Sequence, residues 1–356
     1  MKKILVVLLT AVLLFGCQNQ KDDNVVKVGV ITPLTGFSAS NGVMFQQGLM
    51  MAVDEINSEG GILTFDVQYE DSKSTAKDAH TAYRKLASEG VKYYAALGGQ
   101  FILSFAPETK DSDKILFATA APNSNLLTLT NRCFRLFPTI EMVTDRIRDY
   151  IVEHDYKRIA VVYMQIEAYS MYNESIQRKL AEIGREVVFV ESYEANTRDF
   201  KNIVNKLSKQ NPDFVYAAGA GESAALFTKQ LFSDPKTNNI PVIGDMNFSN
   251  PENLSIIGEL KAPVSVVDNY LSPEFVSNFK TTYCQTPNAY AVYGYIIPYL
   301  LKSAFDTLGI NSSSKEVYDY IHNNVINTAA GNISFNTETT EPNLELIVKT
   351  QISDEK

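Results

Sequence analysis

From Val26 onward, apolar runs of strand length alternate with stretches whose apolar residues recur every three or four positions, and this alternation hardly breaks for 300 residues. A strand that must be followed by a helix before the next strand can form cannot make hairpins. It builds parallel sheets with helices on their faces. Val26–Ile31 reads as a strand, and Phe45–Ile56 as a helix with Phe45, Leu49, Ala52, Val53 and Ile56 on one side. Strand Phe65–Tyr69, helix Ser74–Ala87, strand Tyr93–Leu97, helix Leu103–Asp111 and strand Ile115–Thr119 follow.

The pattern then starts again. Helix Met142–His154 leads to strand Arg158–Tyr163, helix Tyr172–Ile183, strand Glu186–Glu191, helix Phe200–Leu207, strand Phe214–Ala218, helix Ser223–Phe232 and strand Pro241–Ile243. Strand Val264–Val267 precedes helices Glu274–Tyr283, Ala289–Leu308 and Lys315–Asn323, the last with Ser313 and Glu316 placed as a capping box. Extended Asn332–Phe335 and Leu344–Val348 finish the chain. The expected fold is α/β, two doubly wound parallel-sheet lobes with a cleft where the carboxyl ends of their strands meet. Tyr290, Tyr293, Tyr295 and Tyr299 crowd one helix at three-to-five spacing and read as packing residues.

Ahead of this lies a different kind of segment. Lys2 and Lys3 precede an apolar run from Ile4 to Gly16, shorter than the roughly 20 residues a membrane span needs. Leu14-Phe15-Gly16-Cys17 closes it as a lipobox, so residues 1–16 are expected to be a lipoprotein signal peptide, Cys17 the acylated residue and 17–24 a flexible stalk. Two or three acyl chains at about 0.8 kcal/mol per buried methylene make a lasting tether. The formal charge of −9 grows more negative once Lys2 and Lys3 are removed, and no run of basic residues offsets it, which disfavours nucleic acid as a partner. Cys133 and Cys284 are expected to be two buried free thiols; a bridge between them is the lesser alternative.

Several runs carry a resemblance. Val28-Gly29-Val30-Ile31-Thr32-Pro33-Leu34-Thr35-Gly36, Ala52-Val53-Asp54-Glu55-Ile56-Asn57 with Gly60-Gly61-Ile62, Tyr69-Glu70-Asp71-Ser72, Asn211-Pro212-Asp213-Phe214-Val215-Tyr216 and Gly331-Asn332-Ile333-Ser334-Phe335-Asn336 stand in order along the chain. Together they resemble type I periplasmic binding proteins, specifically the branched-chain amino-acid binding group of ABC importers. The resemblance implies three crossings between lobes, with lobe one at 25–139 plus 269–325 and lobe two at 140–268 plus 326–356. It also implies hinge closure on a small ligand.

The resemblance further implies a ligand site. In lobe one it points to backbone donors and side chains at Gly99, Gln100, Phe101, Ala121 and Asn123, with Asn41 lining the cleft after the first strand. Gln100 stands where a serine is usual, and Pro122 removes a donor, so the grip on a carboxylate is altered. In lobe two it points to Tyr169 as the aromatic wall and to Glu222 or Asp245 as the acid facing a ligand ammonium.

Other signals are set aside. Gly219-Ala220-Gly221-Glu222-Ser223-Ala224 matches a dinucleotide fingerprint, but in a late unit of the second lobe, where a close strand-to-helix turn explains the glycines. His80, His154 and His322 are scattered, and neither a metal cluster nor a nucleophile elbow is present in the sequence, so no cofactor, metal or enzymatic activity is expected. The leading expectation is an extracytoplasmic, lipid-anchored, monomeric solute-binding protein of an ABC importer, capturing a small polar ligand, an amino acid or amide-like molecule, between its lobes and docking on a membrane permease. The alternative is a ligand sensor or regulatory envelope lipoprotein that uses the same fold to bind protein.

Overall fold

The structure, a computed structural model, describes residues 24–36, 38–61, 63–121, 126–219, 221–244, 246, 248, 251–336 and 341–351. The expected signal, Cys17 and most of the stalk lie outside the described residues, as do Asn123 and Asp245. Among the described residues no helix is long and apolar enough to cross a membrane.

The first sheet takes strands β1 (Val25–Thr32), β2 (Thr64–Asp71), β3 (Tyr93–Leu97), β4 (Ile115–Thr119) and β5 (Cys133–Arg135) in the order β2-β1-β3-β4-β5. All four pairings are parallel. Strands β3 and β4 are buried along their whole length, as the unbroken apolar runs require of a sheet covered on both faces. Helix α1 (Ala39–Ser58) covers one face, and α2 (Ala76–Ser88), α3 (Gly99–Ile102), α4 (Ala106–Thr109) and α5 (Leu126–Leu129) follow in the chain. Sequence periodicity predicts one helix over 103–111, yet α3 and α4 are two separate turns. Pro107 in the first turn of α4 has no N–H to give, and its ring would strike a carbonyl one turn back in a continuous helix.

The second sheet takes β6 (Arg158–Met164), β7 (Glu186–Tyr193), β8 (Phe214–Ala218), β9 (Val242–Gly244), β10 (Val264–Asn269) and β13 (Leu346–Gln351) in the order β13-β10-β9-β8-β6-β7. It is parallel except at its edge, where β13 runs antiparallel to β10. Helices α6 (Ile140–Glu153), α7 (Glu167–Glu182), α8 (Lys201–Ser208), α9 (Gly221–Ser233) and α10 (Pro251–Ile257) surround it. Thr139 caps α6, accepting from the Met142 N–H at 3.1 Å.

Three further helices, α11 (Pro273–Tyr283), α12 (Ala289–Leu308) and α13 (Ser314–Asn323), return to the first core. Ser313 and Glu316 form the expected capping box on α13. Helix α12 lies against α1 so closely that a Cβ on Gly48 would stand 1.8 Å from the Ala291 carbonyl oxygen, and one on Gly294 would stand 2.1 Å from that of Phe45. The crowded tyrosines are core, as expected: Tyr290, Tyr293 and Tyr295 are buried, and Tyr295 and Tyr299 both donate to Oε2 of Glu55, at 2.6 and 2.8 Å.

Three corrections follow from packing. The hairpin of β11 (Ile326–Thr328) and β12 (Gly331–Ile333) buries Ile326, Ala330, Ile333 and Phe335 in the first core, so these side chains belong with lobe one rather than lobe two. The third crossing therefore falls between Phe335 and Leu346. Cys133 is buried as expected, but Cys284 is exposed at the left-handed C-cap of α11, and both are free. The short β5 has no counterpart in the sequence expectation.

Candidate functional site

The first crossing leaves the C-terminal end of β5 through Leu136–Thr139, and the second leaves the C-terminal end of β10 at Asn269. Both sheets therefore turn their C-terminal strand ends toward the crossings, and the loops after those strands border the space between the lobes.

In lobe one the Gly98–Phe101 turn packs on the loop after β4. Gly98 has φ of 103°, a conformation suited to glycine, and its N–H donates to the Thr119 carbonyl at 2.9 Å. The Gly99 N–H donates to the Ala120 carbonyl at 2.8 Å and the Phe101 N–H to that of Gly98 at 2.9 Å, so these two expected donors are engaged within the loops. Phe101 is buried, and Gln100 leaves an exposed side chain at the rim. Ala121 is buried, and its carbonyl accepts from Nη1 of Arg135 at 3.3 Å. Asn41 lies in the first turn of α1, partly buried.

In lobe two Tyr169 is buried in the first turn of α7, its ring 6.0 Å from that of Tyr172. Burial above all, then the Asp268 carboxylate and Tyr290, with Tyr172 a smaller contributor, hold the Tyr293 phenol of lobe one well above its ordinary value. Asn269 donates through Nδ2 to the Tyr293 hydroxyl, and the ring of Phe137, in the first crossing, lies tilted 5.8 Å from the same ring. Met246, beside Asp245, packs on the first core. The lobes thus meet on an aromatic seam at the crossings. Glu222, by contrast, is exposed at the start of α9 and takes Nη2 of Arg198 at 2.7 Å, so its charge is already matched. At the same turn a Cβ on Gly219 would stand 2.0 Å from the Tyr193 hydroxyl, which accounts for the glycine without a nucleotide.

Some polar groups near this region were not expected. Ser72 follows β2, Thr119 ends β4 and Ser223 opens α9, and the hydroxyl oxygen of each is buried without a hydrogen-bond partner. Buried polar atoms normally find partners, so three unpaired hydroxyls near the strand ends of two sheets are unusual. Ser72 ends the run Tyr69-Glu70-Asp71-Ser72 that carries the family resemblance, but nothing in the sequence marks its hydroxyl as unpaired. Two hollows border the crossings. One of about 670 Å³ is lined by Arg135, Thr139, Glu141, Met171, Glu174, Arg178 and Glu341 among others; the second, of about 480 Å³, includes Met142, Asn336 and Asn343. Among the described residues no group of three or more His, Cys, Asp or Glu could hold a metal ion.

The sequence itself matches the model of the periplasmic binding protein family over residues 25–348. The chain belongs to the periplasmic binding protein family. Within it this periplasmic binding protein is of type I, in the branched-chain amino-acid group. It is 25% identical over 341 residues to the Leu/Ile/Val-binding protein homolog 1 of Brucella abortus (strain 2308), covering 92% of this chain and 90% of the relative. It is 21% identical over 344 residues to the leucine-, isoleucine-, valine-, threonine- and alanine-binding protein of Pseudomonas aeruginosa, covering 91% and 89%. Among solved structures, a solute-binding protein of an ABC transporter from Rhodopseudomonas palustris HaA2, in complex with p-hydroxybenzoic acid, superposes with a TM-score of 0.81 at 17% identity, covering 93% of this chain and 94% of that one. A leucine-binding protein from Thermotoga maritima MSB8 gives 0.76 at 20% identity, covering 92% and 97%.

Proposed function

We propose that this chain is the extracytoplasmic solute-binding component of an ABC importer, tethered through lipidated Cys17, monomeric and without catalysis of its own. Lobe one, near 25–139 plus 269–335, and lobe two, near 140–268 plus the final strand, close on a small molecule and present it to a membrane permease. The ligand is a small organic carboxylate. The Pseudomonas relative is named for amino acids, the Rhodopseudomonas structure holds a hydroxybenzoate, and a carboxylate is what these share.

The observation that carries this reading is the set of unpaired buried hydroxyls at Ser72, Thr119 and Ser223 around the facing strand ends. A carboxylate that accepts from such hydroxyls repairs a cost already present in the empty protein. In lobe one the reading also uses Gln100 at the rim, Asn41 on the wall and, from the resemblance alone, Asn123; in lobe two it uses Tyr169 as an aromatic wall and, again from the resemblance alone, Asp245 as the acid for an ammonium, in preference to the already paired Glu222.

The test is a thermal-shift screen of residues 18–356 against aliphatic amino acids, hydroxybenzoates, amides and short peptides. A ligand at 100 times its dissociation constant adds about 2.7 kcal/mol. A clear shift confined to one carboxylate class supports the reading. No shift across the panel overturns it and favours the use of this fold for protein contact.

A further inference from the structure

Arg135 is a buried cation, 1% exposed, at the end of the short strand β5. Burying a guanidinium is costly unless its donors are matched, and here they are matched by groups far apart in the chain. Nε donates to Oε2 of Glu341 at 3.1 Å, and Nη2 pairs with Oε1 of the same carboxylate. Nη1 donates to the carbonyl of Ala121 at 3.3 Å. Ala121 belongs to the lobe-one loop after β4 that borders the cleft. Glu341 belongs to the third crossing, where its own carbonyl accepts from the Asn336 N–H at 2.8 Å. Arg135 itself stands where the first crossing begins. One rigid planar fork therefore holds a cleft loop, the first crossing and the third crossing at once, a geometry that a lysine, with a single point of charge, does not reproduce.

We propose that Arg135 is a positioning residue for solute capture: with Glu341 it couples the cleft loop at Ala121 to the third crossing, so that loop position and hinge position move together. This rests on the reading that the cleft holds the solute. Loop 120–121 in turn carries the Gly98–Phe101 turn, because the Thr119 and Ala120 carbonyls accept from the Gly98 and Gly99 N–H groups. A change at Glu341 is thereby transmitted to both cleft loops of lobe one.

Hydrogen–deuterium exchange on residues 18–356, without ligand, tests this in wild type, Glu341→Gln and Arg135→Lys. Glu341 is on the accessible side of the pair, 21% exposed, so Glu341→Gln is the milder variant and decides the matter alone if Arg135→Lys does not fold. The expected result is that peptides containing Gly98–Phe101, Ala120–Ala121 and Asn336 exchange faster by about tenfold in both variants, with β6 and β8 unchanged. The proposal is overturned if only the peptide around Glu341 speeds up, if exchange rises evenly through both lobes, or if Arg135→Lys behaves as wild type. Because no ligand is present, failure here leaves the solute-binding reading standing. A ligand screen without a shift overturns that reading while leaving the mechanical coupling intact.

Discussion

Nζ of Lys179, almost wholly buried, lies 2.9 Å from Oε2 of Glu141, and so joins α7 to the first turn of α6 just beyond the first crossing. The same ammonium reaches Oδ1 of Asp145 at 2.6 Å and the Glu141 carbonyl at 2.9 Å. Burial works against the charge on Glu141, but hydrogen bonds from Lys179, Ser175 and Arg178 outweigh it and hold the carboxyl down at about 2. A carboxyl held below its unfolded value of about 4.3 stabilises the fold above that pH, and the contribution is lost as pH falls toward 2. Because the Glu141 side chain is half exposed, water screens much of the interaction, and Glu141→Gln should cost only about 1 kcal/mol at neutral pH. Thermal melts of both proteins from pH 7 to pH 2 check this: the gap in Tm should be full at pH 7 and vanish toward pH 2.

The contact between α1 and α12 gives a steric prediction. With Gly48 and Gly294 each facing a backbone carbonyl, Gly294→Ala must push the helices apart and should lower stability by about 1–3 kcal/mol. Gly184→Ala is an uninformative control, since its positive φ of 69° adds strain of its own; Gly61→Ala, with open space around it and no positive φ, is the suitable one and should be near neutral. Urea unfolding of the three proteins measures the difference.

The two described cysteines should differ in reactivity. Burial pushes the Cys133 thiol up to about 12, while Cys284 is exposed at a helix end. In residues 18–356, which lack Cys17, a maleimide should label one thiol in the native protein and two in denaturant. Two rapid labels in the native protein would contradict the packing around β5.

Thr119 carries a hydroxyl that has no partner in a buried position. Replacing it with the near-isosteric valine removes a desolvated polar atom, so Thr119→Val should leave the empty protein as stable as wild type or up to about 1 kcal/mol more stable. If that hydroxyl receives the solute, the same variant should show a smaller ligand-induced rise in Tm. A large loss of stability without ligand would mean that the hydroxyl has a structural role instead.

Strands whose residues are apolar without interruption were legible in the sequence: β3, β4 and β8 have the bounds that their composition predicts, as has α12. Their signal is local, because a strand covered on both faces carries its own evidence in every residue. Strand β5 was not legible. It is three residues long and includes an arginine, and what allows that arginine to be buried is a carboxylate 206 positions away. No periodicity contains such a pairing. The same limit applies to the candidate site: Gly98–Phe101 and Tyr169 enter as expectations from the resemblance, but the pairing of Glu222 with Arg198 and the unpaired hydroxyls of Ser72, Thr119 and Ser223 depend on neighbours from other units of the fold.

Capture of a solute requires the two lobes to close about the crossings. Small-angle X-ray scattering on residues 18–356, with and without a saturating ligand from the thermal-shift screen, tests it most directly. The radius of gyration should be smaller in the bound state, with a scattering curve that returns to that of the empty protein when ligand is dialysed away. Saturating binding that leaves the curve unchanged would contradict closure as the mechanism of capture.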